Sequence, residues 1–416
     1  MINKYFKLGK NILFPINRSI TGAGIVKTLK IIKKIHPKLK LKFFKTDKKV
    51  FDWKIPYEWN ISDAYILDFK NKKIVDFKKN NLHIVGYSQP INMSLKKKDL
   101  LKKLHTSKIL NDAIPYVTSY YKKNWGFCVS KKQKNEIIKT YNDNEMFKVV
   151  IKSNFKKGKM PIGEYTIKGK SKQEILISTY LCHPSMANNE LSGPLLSMML
   201  IEYFKKLKIE KTLKFIFIPE TIGSITYISR NIDDMKKNII AGFNITTIGD
   251  DRSYSYIPTR YGNTLSDKVS KHILKDTNYV EYSFLDRGSD ERQYCSPGID
   301  LPIASIFRTK YGSYPEYHTS LDDLDNVVTP QGLNGGYIAL QQAIKAIENN
   351  KKYKVTILCE PQMSKRDLYP TLSTKKGNQE VKLMMNFISL CDGKSSLLDI
   401  AERLNMPIWD LYDLAN

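Results

Sequence analysis

The residues able to do chemistry cluster at the ends of apolar runs. After EILISTY (174–180) come His183, Asn189 and Glu190. After TLKFIFIP comes Glu220, and after NIIAGFNITTIG (238–249) come Asp250, Asp251 and Arg252. The loop DRGSDERQYCSPG carries Arg287, Asp290 and Glu291. LPIASIFR (301–308) ends on Arg308, and YGSYPEYHTSLDDLD follows with Glu316, Tyr317, His318, Asp322 and Asp323. Neutral imidazoles and carboxylates are the donors that zinc takes in catalytic sites, where one position stays open to water. Two histidines and several acids at successive strand ends therefore point to metal-assisted hydrolysis.

These groups can converge only if the runs are parallel strands of one sheet, since side chains at the carboxyl ends then face a common crevice. The runs are short and apolar, as buried parallel strands are. Helices alternate with them: one opened by Pro194 (PLLSMMLIEYFKKL), one starting at SITYISR, and one over 332–350. The fold class expected is α/β, with a mixed, mostly parallel sheet flanked by helices. A further helix is expected over 17–36, capped by Ser19 or Thr21.

Other segments differ in texture. Residues 51–150 hold short β-like runs (DAYILDF, KIVDF, HIVGYS) and many aromatics, and read as an inserted β-rich unit. The main domain would then comprise 1–50 and 151–355. Residues 375–416 read as two amphipathic helices around a DGKSS turn, a winged-helix-like unit that stops where a wing hairpin would begin.

Composition bounds the function. The 416 residues carry 68 Lys and Arg against 41 Asp and Glu, a net charge of +27. The lysines are spread along the chain without arginine–aromatic interleaving, so nucleic acid is not the expected partner. No run approaches about 18 apolar residues, so no membrane span is expected. The basic N-terminus lacks an apolar signal region, which makes the cytoplasm the default address. The five cysteines are scattered without a CxxC pair, against disulfides or a cysteine-rich zinc site. The expected partner is a small-molecule or peptide-like amide; a homo-oligomer stays open.

The segments CHPSMANNELSGP, PETIGS and EYHTSLDDLD resemble the dizinc aminopeptidase superfamily, which includes bacterial leucyl aminopeptidases and glutaminyl cyclases. Over nearly its whole length the chain is similar to bacterial proteins with an aminopeptidase-like domain and a C-terminal winged helix, linked to surface-polysaccharide genes. The phrases carrying that similarity are NRSITGAG, VFDWKIPYEWNISDAYI, DAIPYVTSYYKKNWGFC, LISTYLCHPSMANNELSGP, GSDERQYCSPGIDLP and RTKYGSYPEYHTSLDDL. The resemblance implies that His183 and His318 are the first and last metal ligands. It also implies that Glu220 is the general base of a glutamate pair.

The chain departs from the pattern in three places. Thr221 stands for the second glutamate, Asn189 for the bridging aspartate and Thr246 for an aspartate ligand. A neutral Asn189 bridges two cations poorly. The expectation is one zinc rather than two, held by His183, His318 and a carboxylate from Glu190 or Asp250, or else a site without catalysis. Zinc would lower the pKa of water toward about 7, and Glu220 would move its proton. Asn189, Asp290, Glu291 and Tyr317 would line the substrate site, with Tyr311 and Tyr314 nearby. Arg287 or Arg308 would hold a substrate anion. Asp322 and Asp323 would orient His318 or begin the next helix. The function expected is a zinc-dependent amide hydrolase of aminopeptidase type. The alternatives are a deacylase on an amino-sugar intermediate of surface glycan synthesis, an inactive binding protein, or a DNA-binding regulator.

Overall fold

The computed structural model describes residues 1–366 and 375–415. Eight strands form the main sheet: β1 (Lys40–Lys45), β2 (Lys159–Ile167), β3 (Glu174–Tyr180), β4 (Thr212–Ile218), β5 (Ile239–Asn244), β6 (Tyr254–Ile257), β7 (Tyr279–Glu281) and β8 (Ile303–Phe307). Their spatial order is β1-β2-β4-β3-β5-β8-β6-β7. The central strands β4, β3, β5 and β8 are mutually parallel; β1, β2 and β6 add antiparallel pairings at the flanks. This is the mixed, mostly parallel α/β sheet expected. In β3, Ile175 through Tyr180 are all buried, as follows when both faces are covered.

Five helices cover the sheet: α1 (Ala23–Ile35), α2 (Ser192–Phe204), α3 (Ile222–Asn238), α4 (Leu265–Leu274) and α5 (Pro330–Asn349). One apolar core joins α1, α2, α4 and α5 to the sheet through residues such as Leu29, Leu196, Val269 and Leu340. A second core joins α3 (Ile225, Ile228) to a smaller sheet. That smaller sheet is antiparallel, ordered Lys73–Asp76, Glu58–Leu67, Met146–Lys156, Ile91–Lys96.

The helix expected from residue 17 starts at Ala23, with Gly22 at φ 92° before it. Thr21 does not cap it. Its hydroxyl lies 2.6 Å from the Tyr87 hydroxyl and accepts from the Trp59 amide at 3.1 Å. The cap comes from outside: Asn60 Oδ1 accepts the Ala23 amide at 2.8 Å. Long-range hydrogen bonds thus override the local capping preference, and NRSIT runs as a strap outside any helix or strand.

The DGKSS segment is not a bare turn. Asp392–Ser396 pairs antiparallel with Lys352–Lys354. The helices Lys375–Leu390 and Leu397–Arg403 flank it, and the C-terminal turns pack on the first core through Ile408 and Leu411. His272 of α4 accepts the Ile408 amide at 2.9 Å. Among the described residues no helix is long and apolar enough to cross a membrane.

Gly193 lets α2 begin directly beneath the sheet edge. A Cβ at this position would overlap the Thr179 hydroxyl and the Ile245 carbonyl oxygen, and the latter belongs to backbone that cannot swing aside. Gly193→Ala is expected to cost about 1–3 kcal/mol by overpacking. A urea melt should show this as a lower midpoint; an unchanged midpoint would refute the close approach.

Candidate active site

The carboxyl ends of β3, β4, β5 and β8 lie on one edge of the sheet, so the loops that follow them meet there. His183 follows β3, Glu220 follows β4, Thr246 follows β5, and His318 lies in the long loop after β8. The His183 and His318 ring centroids are 5.5 Å apart. The two histidines, 135 positions apart in sequence (318 − 183), therefore share one site.

His183 is oriented from behind. Its Nδ1 lies 2.7 Å from Glu190 Oε2, seven residues on, in the turn that leads into α2. A carboxylate on Nδ1 fixes the proton there and turns the Nε2 lone pair outward. Glu190 is fully buried and is matched by the fully buried Arg18, whose Nε lies 3.5 Å from Glu190 Oε1. The same Nε donates to the His183 carbonyl at 3.0 Å, and Nη1 donates to the Leu13 carbonyl at 2.5 Å. The NRSIT strap thus delivers the counter-charge for the residue that aims His183.

The outward face of His183 meets Glu220. Nε2 is 3.5 Å from Glu220 Oε2, and Glu220 keeps about a quarter of its side chain exposed (23%). Burial opposes charge on His183, but Glu190 and Glu220 outweigh it and raise its pKa. This position accordingly favours positive charge, whether a proton or a cation. Burial raises the Glu220 pKa, an effect that His183 and Arg292 partly offset.

His318 is held differently. Its backbone sits at φ 56°, and its ring stacks on Tyr317 with centroids 3.9 Å apart. Residues 114–116 from the aromatic segment bind its loop: the Tyr116 amide donates to the His318 carbonyl at 2.8 Å, and the Ser320 amide to the Ile114 carbonyl at 2.9 Å. The Tyr116 ring then meets both imidazoles edge-on, at 4.9 Å from His183 and 5.1 Å from His318. Burial, then the neighbouring His183, pushes the His318 pKa down to about 3, so its ring is neutral. Its Nε2 is buried and has no hydrogen-bond partner among the described residues. This orphaned imidazole nitrogen shares the pocket with His183 and Glu220, and imidazole and carboxylate are donors that zinc takes, but the three donor atoms are not drawn together within 4.8 Å as those of Cys182, His183 and Glu190 are.

The second carboxylate neighbourhood fits less well. Cys182, His183 and Glu190 group closely on the Nδ1 side. Their atoms already bind one another, and burial drives the Cys182 thiol well above its ordinary pKa. Zinc binds thiolate rather than thiol, so this group suits zinc poorly while the Cys182 thiol keeps its proton.

The remaining acids serve the loops. Asp250 accepts from Asn188 Nδ2 (2.8 Å), the Thr309 amide (2.9 Å) and hydroxyl (2.6 Å), and the Arg252 amide (3.0 Å). With its oxygens so engaged, it is placed as a loop anchor and not beside the histidines. Glu291 accepts from the Gly288 and Ser289 amides and Asn244 Nδ2, at 2.8–3.0 Å. Asp322 holds the Asn188 and Asn189 amides at 2.7 and 2.9 Å and makes no bond to His318. Asp323 accepts the Asp325 and Asn326 amides and starts a turn. Asp290 accepts the Thr221 amide and the Ser224 hydroxyl, both at 2.7 Å, while burial and Glu220 push it up to about 7. Thr221 sits at φ 62°, a strained geometry for a β-branched residue, and Asp290 clamps it.

Asn189 donates to the Tyr180 hydroxyl at 2.8 Å, and its carbonyl accepts from Thr246 at 2.8 Å. Tyr311 donates to Glu291 and Tyr314 to Asp322, so both tyrosines buttress loops. Arg287 is exposed over the Phe284 ring, and Arg308 packs 4.1 Å above the Tyr254 ring. The arginine that borders Glu220 is Arg292, which donates to Thr221 Oγ1 at 2.6 Å and leaves a buried Nε unpartnered. Arg18, Tyr116 and Arg292 are the site residues that strand-end reasoning misses. Each lies in a segment that carries the family resemblance. Glu190→Leu should leave Arg18 as an uncompensated buried charge and cost about 3–5 kcal/mol. A thermal melt reads this as a large drop in Tm; wild-type stability would show that the pair does not matter.

Residues 8–350 match a family described as a domain of unknown function (DUF4910), and residues 351–416 match a winged helix-turn-helix family. A Clostridium acetobutylicum protein, provisionally described as a polysaccharide biosynthesis protein with an aminopeptidase-like domain, is 42% identical over 398 residues. The match covers 95% of this chain and 90% of that protein. A crystal structure of a provisionally assigned peptidase from the same organism superposes with a TM-score of 0.90 at 39% identity, covering 99% of this chain and 95% of that one. A zinc aminopeptidase from Bacillus subtilis superposes at 0.59 with 12% identity, covering 83% and 94%, which shows a shared aminopeptidase-like fold. The chain belongs to the DUF4910 family, an aminopeptidase-like α/β domain followed by a winged helix.

Proposed function

We propose that the protein is a metal-dependent amide hydrolase with one zinc site, held by His183 and His318. The observation that carries this reading is the unpartnered buried Nε2 of His318, whose ring lies 5.5 Å from that of His183, itself beside Glu220. A zinc ion would supply Lewis acidity, polarising a substrate carbonyl and acidifying water. Glu220 is the general base: Oε2 takes a proton from the attacking water and passes it to the leaving amine. Its raised pKa, set by burial, suits a group that must both accept and return a proton. Arg292, whose positive charge partly offsets the burial of Glu220, offers its unpartnered Nε to a substrate carboxylate or phosphate. Tyr116 closes one wall against bulk water.

One ion is favoured over two by the partners of Asn189, Thr221 and Thr246. They stand where a dizinc site needs carboxylates and bring no negative charge; Thr221 and Thr246 are committed to hydrogen bonds, and Asn189 keeps only a neutral Oδ1 unpartnered. The polysaccharide description of the Clostridium relative favours acylated amino sugars over peptides as the substrate class. Aminoacyl anilides and N-acetylated amino sugars offered side by side separate the two.

Elemental analysis should find about one zinc per wild-type chain and none in His183→Ala or His318→Ala. Glu220→Gln should keep the zinc and lose about 10²–10⁴-fold in hydrolysis. Zinc retained in both histidine variants, or full activity in Glu220→Gln, would overturn the assignment.

A further inference from the structure

A second concavity lies outside the histidine site. It has a volume of about 510 Å³, the size of a small-molecule pocket. Its floor is aromatic and fixed. Tyr87 donates to the Tyr57 carbonyl at 3.0 Å and stacks on Trp59 with ring centroids 5.5 Å apart. Tyr120 and Phe155 meet the Tyr87 ring edge-on at 5.1 and 5.8 Å. Its rim holds exposed rings: Tyr57, Phe155, and Tyr121 with Trp53 packed edge-on at 5.8 Å. Solvent-facing aromatics grouped on a rigid floor mark a binding surface rather than chance exposure.

The polar groups of the cleft narrow the ligand. Asp47 is its acidic lining residue, and Lys54 neutralises it in an ion pair. Lys122 and Lys123 form no ion pair among the described residues, so two cationic heads remain. The Gln89 side chain lines the wall with no hydrogen bond of its own among the described residues. Aromatic faces tipped with phenol hydroxyls suit a ring that is apolar on its C–H face and hydroxylated at its edge. Unpaired lysines suit an anion. The volume accommodates one ring with its charged group, not a polymer strand.

We propose that this cleft binds an anionic monosaccharide, its ring against the exposed Tyr57, Tyr121 and Phe155 rings that the buried Tyr87 supports, and its phosphate or carboxylate on Lys122 and Lys123. The proposal does not rest on the metal reading. Two bonds link the cleft floor toward the histidine site: Tyr120 to Tyr116 through their hydroxyls at 2.5 Å, and Tyr87 to Thr21 of the NRSIT strap at 2.6 Å.

Isothermal titration calorimetry on the full chain tests it with glucose 6-phosphate, glucuronate, glucose, inorganic phosphate and adenosine monophosphate. Saturable binding of glucose 6-phosphate or glucuronate is expected, and which of the two binds identifies the anion. The Lys122→Ala/Lys123→Ala double variant and Tyr121→Ala alter exposed side chains and should each weaken binding about tenfold or more. His183→Ala should leave it unchanged. The proposal fails if neither charged sugar binds at about 10 mM, where even a millimolar site would fill. It also fails if the lysine variant binds normally, if inorganic phosphate binds as well as the sugar phosphate, or if adenosine monophosphate binds more tightly.

Discussion

The hydrogen bond from His183 Nδ1 to Glu190 is the contact on which the rest of the site depends. It decides which imidazole nitrogen faces outward, and a buried carboxylate can hold that role only with a counter-charge. Arg18 supplies the charge and also grips the His183 carbonyl. The N-terminal strap, the turn after β3 and the first turn of α2 are thereby one unit. Gly193 lets that first turn approach β5 closely enough for Glu190 to reach back.

The loops around this unit are strained and then fixed. Ser185, Thr221, Thr247 and His318 all adopt positive φ without being glycine. Such backbone persists only where neighbours over-determine it. Asp290 clamps the Thr221 amide, Asp322 the Asn188 and Asn189 amides, and Asp250 the Thr309 amide. These carboxylates, accepting backbone N–H groups, set loop shape; His318 Nε2, Glu190 Oε1 and Asn189 Oδ1 stay buried without hydrogen-bond partners among the described residues. The site therefore combines many acids with few that could face a cation.

That division sets what can be read from the sequence. The parallel strands are legible because a short, continuous apolar run bounded by turn residues suits a strand covered on both faces. EILISTY matches the observed strand residue for residue. Convergence of His183, Glu220 and His318 follows from the same alternation of strands and helices. The roles of Asp250, Asp322 and Arg287 are not legible. An acid at a strand end reads alike whether it faces a cation or clamps an amide, and only the partners distinguish them. Arg18 is hidden for the opposite reason, because an arginine in a basic N-terminal segment looks solvent-exposed. The late start of α1 is hidden as well, since the groups that hold Thr21 and cap Ala23 come from residues 59, 60 and 87.

The central claim is that the outward Nε2 atoms of His183 and His318, not the Cys182 side of the same ring, hold a metal. X-ray absorption at the zinc edge of the zinc-loaded protein tests it most directly. A shell of nitrogen and oxygen scatterers at about 2.0–2.1 Å, with the outer-shell signature of two imidazoles, is the expected result. A sulfur scatterer at about 2.3 Å, or a single imidazole, would contradict it.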